Sequence, residues 1–121
     1  MNIGYVNVFV SDLEKSVAFY QQKLGLELEM SEPNFGYAAF HAGTIRLGLA
    51  VAGSDQKSLI GRHTGIGLSV TDLNQEYATL LEKGVIFSEP PTKQPWGGFM
   101  AIVEDPDGNR YYLDQYETTH N

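Results

Sequence analysis

The segment 105–115, DPDGNRYYLDQ, joins an acidic turn to a strand with two polar side chains on one side. Asp-Pro and Asp-Gly pairs favour a turn, and strand alternation places Tyr112 and Asp114 on one face, opposite Tyr111 and Leu113. Asp114 has the chemistry of a general base if a substrate proton comes within hydrogen-bond reach. An orienting or structural role explains this carboxylate more simply, so we assign no catalytic residue.

Arg46 is the second residue with evident chemical potential, because it is a cation in an acidic chain. The 121 residues carry a formal net charge of −7. A guanidinium group can hold a carboxylate or a phosphate through two parallel hydrogen bonds. The alternative is an internal ion pair, for which Asp114 is the candidate partner. The sequence leaves both interpretations open.

Two aromatic residues, Phe35 and Trp96, precede glycines in the segments NFGYAAF and PWGGFMAI. Each side chain either packs in a core or forms a wall for a flat ligand, since aromatic faces suit planar or cationic molecules. We expect at least Trp96 to be a wall or a lid. Among the histidines, His63 is interpreted as a polar residue at a loop end, because a lone histidine rarely binds a metal well; His41 and His120 have no visible partner.

Composition narrows the class of protein. The chain lacks cysteine, which excludes a thiolate nucleophile, a disulfide framework and a Cys-ligated metal and favours a reducing cytoplasm. Its start, MNIGYVNVFV, predicts neither a signal peptide nor a spanning helix. The net charge and a pI of about 4.7 disfavour nucleic acid and anionic membranes as partners.

The elements that must position these residues come from a repeat. VFVSDLEKSVAFYQQKLGLEL, from Val8, resembles LSVTDLNQEYATLLEKGVIF, from Leu68. Each copy predicts a strand, a helix and three strands, which is an α+β fold. We place the first βαβββ module at 3–51, a polar connector at 52–63 and the second module at 64–116, all within one domain.

Local signals define the helices and one loop. Ser11 and Glu14 form an S-x-x-E capping pattern, and apolar residues at helical spacing then lead to a stop at Gly25. The segment 89–98 holds three prolines, so we predict a loop there rather than a strand.

Alternation along the strands separates a branched aliphatic side, expected under the helices, from a mixed side. If the sheet curls, the mixed side lines a concavity with aromatic walls, a few polar groups and glycines, which is typical of a small-molecule pocket. Its members are Tyr5, Asn7, Phe9, Arg46, Gly48, Gly65, Gly67, Tyr112 and Asp114.

The doubled pattern, together with VSDLEKSVAFYQQKLGL and EDPDGNRYYL, resembles the vicinal oxygen chelate superfamily. That superfamily includes glyoxalase I, extradiol dioxygenases, fosfomycin-resistance enzymes and bleomycin-resistance proteins. The likeness covers about residues 3–116. It implies two βαβββ modules forming a curled mixed sheet, or half-barrel cup, and a homodimer.

Enzymes of this superfamily usually hold a divalent metal with His, Glu or Gln from four strands. The matching positions here are Tyr5, Arg46, Gly65 and Tyr112, none of which is a good ligand for such a metal. The resemblance therefore points toward the bleomycin-resistance-like binding proteins, with no cofactor.

From these observations we predict a metal-independent small-molecule-binding protein that sequesters an antibiotic or another aromatic or cationic compound. The alternative is a glyoxalase-, dioxygenase- or lyase-like enzyme with a divergent divalent-metal site. A third possibility is a scaffold used mainly for protein contacts. The predicted ligand-binding residues are Tyr5, Asn7, Phe9, Phe35, Arg46, Trp96, Tyr112 and Asp114.

Overall fold

Both halves of the repeat fold as one strand, one helix and three strands. A computed structural model describes residues 1–115, so His120 and the predicted strand end at Tyr116 lie outside the described residues. The first set of elements is β1 (Tyr5–Val10), α1 (Leu13–Ala18), β2 (Glu27–Glu32), β3 (Tyr37–Ala42) and β4 (Ile45–Val51). The second is β5 (His63–Val70), α2 (Leu73–Glu82), β6 (Ile86–Lys93), β7 (Phe99–Glu104) and β8 (Arg110–Gln115).

The chain divides into two compact units. The first contains Met1–Arg62 and the turn Pro106–Asn109, and the second contains His63–Asp105 and the residues from Arg110 onward. Within residues 1–115, no helix is both long enough and apolar enough to cross a membrane.

Each unit holds one four-stranded mixed sheet. The strand orders are β1-β4-β3-β2 and β5-β8-β7-β6. The first strand of each unit pairs in parallel with the last, and the other neighbours are antiparallel. A strand–helix–strand crossover is what lets two strands of one short module lie parallel. The predicted α+β fold is confirmed.

One side of each sheet is covered by its helix. In the first unit α1 packs on β3 and β4, and in the second α2 packs on β6, β7 and β8. The side chains on these covered sides are almost fully buried, and removing apolar surface from water stabilises each unit by about 25 cal/mol per Å². They include Val8, Val10, Phe40, Leu47 and Leu49 in the first unit and Ala101, Val103, Tyr111 and Leu113 in the second.

Aspartates, and not the predicted Ser11, cap the two helices. The carboxylate of Asp12 accepts a hydrogen bond from the Lys15 N–H, and Asp72 does the same for Gln75. Ser11 instead donates its N–H to Asp107 at 3.0 Å. The sequence pattern was misleading because a partner 96 residues away competes for the serine.

The first helix changes its winding before it ends. After Ala18 the chain continues as a π-helix over Phe19–Lys23, and Gly25 then takes a positive φ of 76°. The predicted stop at Gly25 is correct, but the regular α-helical spacing does not hold through Leu24. Phe19 and Tyr20, at the start of this π-helix, are both buried.

The prediction of a loop over 89–98 is wrong for its first part, because β6 runs to Lys93 and includes Pro90 and Pro91. Two features accommodate the prolines. Strand β6 lies at the edge of its sheet, and its pairing with β7 shifts between Phe87 and Glu89 and again between Glu89 and Thr92. Proline is tolerated at edges and irregular points because no ladder N–H is required there.

Candidate functional site

The side of the first sheet that faces away from α1, here called the outward face, carries four of the eight residues predicted to bind a ligand. Strand pairing sets them in rows: Tyr5 lies beside Arg46 and Asn7 beside Gly48. On the next strand, His41 pairs with Arg46 and Ala39 with Gly48. The alternation inferred from sequence is therefore correct for this face. Its members from β1, β3 and β4 are Tyr5, Asn7, Phe9, Tyr37, Ala39, His41, Arg46, Gly48 and Ala50.

Strand β2 adds to this face a carboxylate, that of Glu29, which sequence reasoning missed. Leu28 pairs with Phe40 and Met30 with Ala39, so Glu29 is the extra residue between two consecutive pairs. Alternation from Glu27, which pairs with the outward His41, places Glu29 on the same face. Its contact with Arg46 depends on the strand order, which the composition of β2 does not show.

Glu29 and Arg46 form a two-pronged ion pair. The Arg46 Nε donates to Glu29 Oε1 and Nη2 donates to Oε2, each at 3.0 Å. Because the two residues stand on β2 and β4, which flank β3, the pair spans β3. The internal ion pair considered for Arg46 thus exists, but its partner is Glu29 and the prediction of Asp114 is wrong.

The pair shifts the pKa of both groups in the direction that favours charge. Hydrogen bonding from Arg46 lowers the pKa of the Glu29 carboxyl group, with smaller contributions from the charges of Arg46 and His41. The same hydrogen bonds raise the pKa of Arg46. The side chains remain 41% and 29% exposed for Arg46 and Glu29, so solvent screens the attraction and the pair contributes orientation more than stability.

Asn7, Tyr37 and Gly48 form a second polar contact on the same face. The Tyr37 hydroxyl donates to Asn7 Oδ1 at 3.3 Å. A Cβ atom built at Gly48 would collide with both of these oxygen-bearing groups. The glycine is therefore required for the two side chains to meet above β4. Tyr37 was not among the predicted site residues.

The aromatic residues of the first unit differ in exposure. Tyr5 is 60% exposed and Phe35 is 83% exposed, whereas Phe9 is half-buried. Phe35 ends a short 3₁₀ turn, Pro33–Phe35, and Gly36 follows with a left-handed backbone. An aromatic side chain left in water in this way is available as a contact for a ligand or a protein.

In the second unit, His63 lies against Tyr112. Their ring centroids are 4.4 Å apart with planes at 53°. The pairing of β5 with β8 shifts between His63 and Gly67, and the Gly65 N–H donates to His63 Nδ1 at 3.0 Å. Nε2 of His63 is buried and has no hydrogen-bond partner among the described residues.

The remaining predicted residues of the second unit are exposed. Asp114 pairs with Ser69 and Met100 on its neighbouring strands and faces away from the buried Tyr111 and Leu113. Trp96 is 73% exposed, so packing in a core is excluded for this side chain. Phe35 is not a core residue either.

The turn Pro106–Asn109 anchors β1 of the first unit. Asp107 accepts hydrogen bonds from the Ser11 N–H and hydroxyl. Asn109, only 1% exposed, donates to the Phe9 carbonyl at 3.0 Å and accepts from the Gly61 N–H at 2.7 Å. Asn109 was missed because its partners are distant in sequence.

The four positions that match metal ligands in the resembled enzymes hold two phenols, a glycine and a guanidinium group. Phenol and guanidinium groups are poor ligands for hard or borderline dications at neutral pH, and the fixed charge of Arg46 repels them. Within residues 1–115, no group of three or more His, Asp or Glu side chains is placed to hold a metal ion. The donor set does not fit a divalent metal at these positions.

Comparisons with known proteins give a consistent result. The model of the Glyoxalase/Bleomycin resistance protein/Dioxygenase superfamily matches residues 2–112. The Bacillus subtilis protein YraH is 31% identical over 120 residues, covering 90% of this chain and 94% of that protein.

Two solved structures are similar throughout. A member of the same superfamily from Sphaerobacter thermophilus has a TM-score of 0.83 and 31% identity, covering 96% of this chain and 98% of that one. TnmS3, an antibiotic binding protein from a Streptomyces species, has a TM-score of 0.80 and 28% identity, covering 97% and 98%.

Proposed function

The chain belongs to the glyoxalase/bleomycin resistance protein/dioxygenase superfamily, and within it we propose a metal-independent small-molecule-binding protein. One observation carries this proposal. Arg46 stands where the resembled enzymes place a metal-binding carboxylate, and Glu29 holds its guanidinium with two hydrogen bonds. The position that binds a metal ion in those enzymes is therefore occupied here by a positively charged group, which is paired with Glu29.

Electrostatics supports this proposal. A guanidinium group keeps its charge across the physiological pH range, and the hydrogen bonds from Glu29 strengthen that tendency. A dication near Arg46 would meet this charge and would also have to compete for the Glu29 carboxylate. Neither obstacle affects an organic ligand that binds through aromatic contacts and hydrogen bonds.

The similarity to TnmS3, an antibiotic binding protein, supports an antibiotic or another aromatic compound as the ligand. Exposed aromatic side chains supply flat contact surfaces at little cost in conformational entropy. The residues proposed to bind it are Tyr5, Asn7, Phe9, Phe35 and Arg46 in the first unit and Trp96, Tyr112 and Asp114 in the second.

The single tryptophan offers a direct test. Protein dialysed against EDTA is titrated with bleomycin and with a panel of aromatic antibiotics, following Trp96 fluorescence and confirming each hit by calorimetry. We expect at least one compound to bind with a micromolar Kd that is unchanged by added Zn²⁺ or Mn²⁺. Binding that appears only after a metal is added would refute metal independence.

Trp96→Phe serves as the matched control, because it removes the fluorophore and keeps an aromatic face. Calorimetric binding should persist in this variant. If no compound binds at high micromolar concentration, antibiotic sequestration is excluded for the classes tested.

A second candidate is an enzyme with a divergent metal site, and His63 is the observation that favours it. Its buried Nε2 has no partner among the described residues. Elemental analysis of protein purified without chelators would support this candidate if it found stoichiometric Zn, Mn, Ni or Fe that disappears in His63→Ala.

We also propose that the protein is a cytoplasmic homodimer. The edge strands β1 and β2 in the first unit and β5 in the second are the elements available for pairing. Light scattering coupled to size exclusion should give twice the monomer mass of 13.4 kDa; the monomer mass alone would contradict the proposal.

A further inference from the structure

The Arg46 guanidinium group is fixed on one edge and open on another. Glu29 occupies Nε and Nη2, which form the side edge of the planar group. The end edge, made by one N–H of Nη1 and the second N–H of Nη2, has no partner among residues 1–115. A guanidinium group carries five N–H donors and can serve two carboxylates at once, one on each edge.

The ion pair also prepares this open edge for binding. Because Glu29 holds the group with two bonds, rotation about the end of the side chain is restricted before any ligand arrives. The side chain of Arg46 is 41% exposed, so an incoming group can reach it. A planar carboxylate matches the end edge in geometry, with two oxygens opposite two donors.

The neighbouring residues favour an aromatic body attached to that carboxylate. Tyr5 pairs with Arg46 across β1 and β4 and leaves 60% of its surface exposed on the same face. Asn7, one step further along β1, uses its side-chain oxygen for Tyr37 and has two N–H donors without a partner among the described residues.

We propose that the end edge of Arg46 binds the carboxylate of an aromatic acid. This inference rests on the proposed function and narrows its ligand to an anionic class. Glu29 supplies orientation rather than a contact with the ligand. Other charges on the face act on this anion too: Glu27 and Glu32 repel it, and His41 attracts it when protonated.

Three compounds with the same rings test the inference. 2-Naphthoate, the neutral 2-naphthamide and the cationic 2-naphthylmethylamine are titrated into ¹⁵N-labelled protein at an ionic strength of about 0.15 M, which limits the effect of the net charge. The Arg46 Nε–H and Asn7 side-chain amide signals are followed. We expect naphthoate to bind about tenfold more tightly than naphthamide, as hydrogen bonds to an ionised group are about twice as strong as neutral ones.

Arg46→Lys is the decisive variant, because it keeps the charge and removes the two-pronged edge. Naphthoate affinity should fall several-fold more than naphthamide affinity, so that the roughly tenfold ratio between the two affinities shrinks. Arg46 is partly exposed, so the variant should fold, and the ¹H–¹⁵N spectrum of the variant verifies this. An unchanged ratio of the two affinities in this variant overturns the inference.

The comparison within the wild-type protein needs no variant. If naphthamide or the amine binds as tightly as naphthoate, the carboxylate preference is wrong and the proposed function stands. If none of the three binds, the inference fails; if bleomycin and the aromatic antibiotics also fail to bind, the proposed function fails with it.

Discussion

The two sheets share one plan on their covered sides and differ on their outward faces. In both, an aspartate caps the helix and the first strand pairs in parallel with the last. On the first sheet, polar side chains bond across strands, as in Tyr37 with Asn7. On the second, a histidine ring lies on a tyrosine beside Gly65, above which an added Cβ would meet open space.

The difference shows where a duplicated scaffold is free to change. A side chain under a helix touches many neighbours, so a change of even one methylene group is destabilising. A side chain on the outward face has fewer neighbours and mainly has to remain compatible with water. Chemistry can therefore diverge between the two copies while the fold is retained.

The largest effect on stability should come from the side chains that hold the first strand of each unit, Asn109 for β1 and Thr64 for β5. We expect these two effects to differ. Asn109→Ala removes two part-buried hydrogen bonds made by a side chain that is only 1% exposed, and should lower the free energy of unfolding by about 2–4 kcal/mol. Thr64→Val removes bonds to the Arg110 carbonyl and the Ile66 N–H that are made by a half-buried side chain, and should cost about 1 kcal/mol. Urea unfolding followed by circular dichroism measures both.

Asn109→Asp is the control, because it keeps the acceptor for Gly61 and loses the donor to Phe9. Its stability should lie between those of the wild type and Asn109→Ala. Equal losses in Asn109→Ala and Thr64→Val would mean that the two first strands are held alike.

Replacing a glycine by alanine, once in each sheet, should have the next largest effect on stability. Gly48→Ala forces Asn7 and Tyr37 apart and should lower stability by about 1 kcal/mol, the net value of a hydrogen bond. Gly67→Ala meets open space and should be neutral or slightly stabilising, because alanine restricts the unfolded chain. Thermal unfolding of both variants decides; equal shifts in Tm would contradict the difference between the faces.

Because both helices are capped by an aspartate in the same way, removing either cap should cost the same stability. Asp12→Ala and Asp72→Ala each remove one capping bond, to Lys15 and Gln75 at 3.1 Å in both cases. Each should cost about 1 kcal/mol, as is typical of caps. A cost in one helix more than twice that in the other would show that the units do not depend equally on their caps.

The smallest effect is the pH dependence of the stability that the ion pair between Glu29 and Arg46 contributes. The folded-state pKa of Glu29 is lowered, so the stability that its ion pair contributes is present at neutral pH and lost as the pH falls through that pKa. The difference in Tm between the wild type and Glu29→Gln should therefore shrink toward zero on acidification. Glu27→Gln, a matched change on the same strand, should show a flatter difference. A gap for Glu29→Gln that widens in acid would contradict the assignment.

Much of this arrangement could be predicted from the sequence. Repeat and alternation identified the fold, the buried Tyr111 and Leu113, and the placement of Tyr5 and Arg46 on one face, because strand parity is a local property. The cap of the first helix was predicted at Ser11, one residue before the observed Asp12.

The unpredicted residues depend on pairing between strands or on distant contacts. Glu29 meets Arg46 because the strand order places β2 and β4 on either side of β3, and no local pattern specifies that order. Ser11 bonds to Asp107 and does not cap the helix as expected, because folding brings together residues 96 positions apart. Such contacts are set by tertiary structure, which a single sequence does not reveal.

The prolines of β6 have a consequence for behaviour at high concentration. Pro90 and Pro91 remove two consecutive N–H donors from a strand at the edge of its sheet. An unpaired edge is otherwise a template on which another molecule can add a strand, which is how aggregation begins. Here such a ladder would be interrupted near its middle, so this edge of the sheet resists the addition of a strand from another molecule.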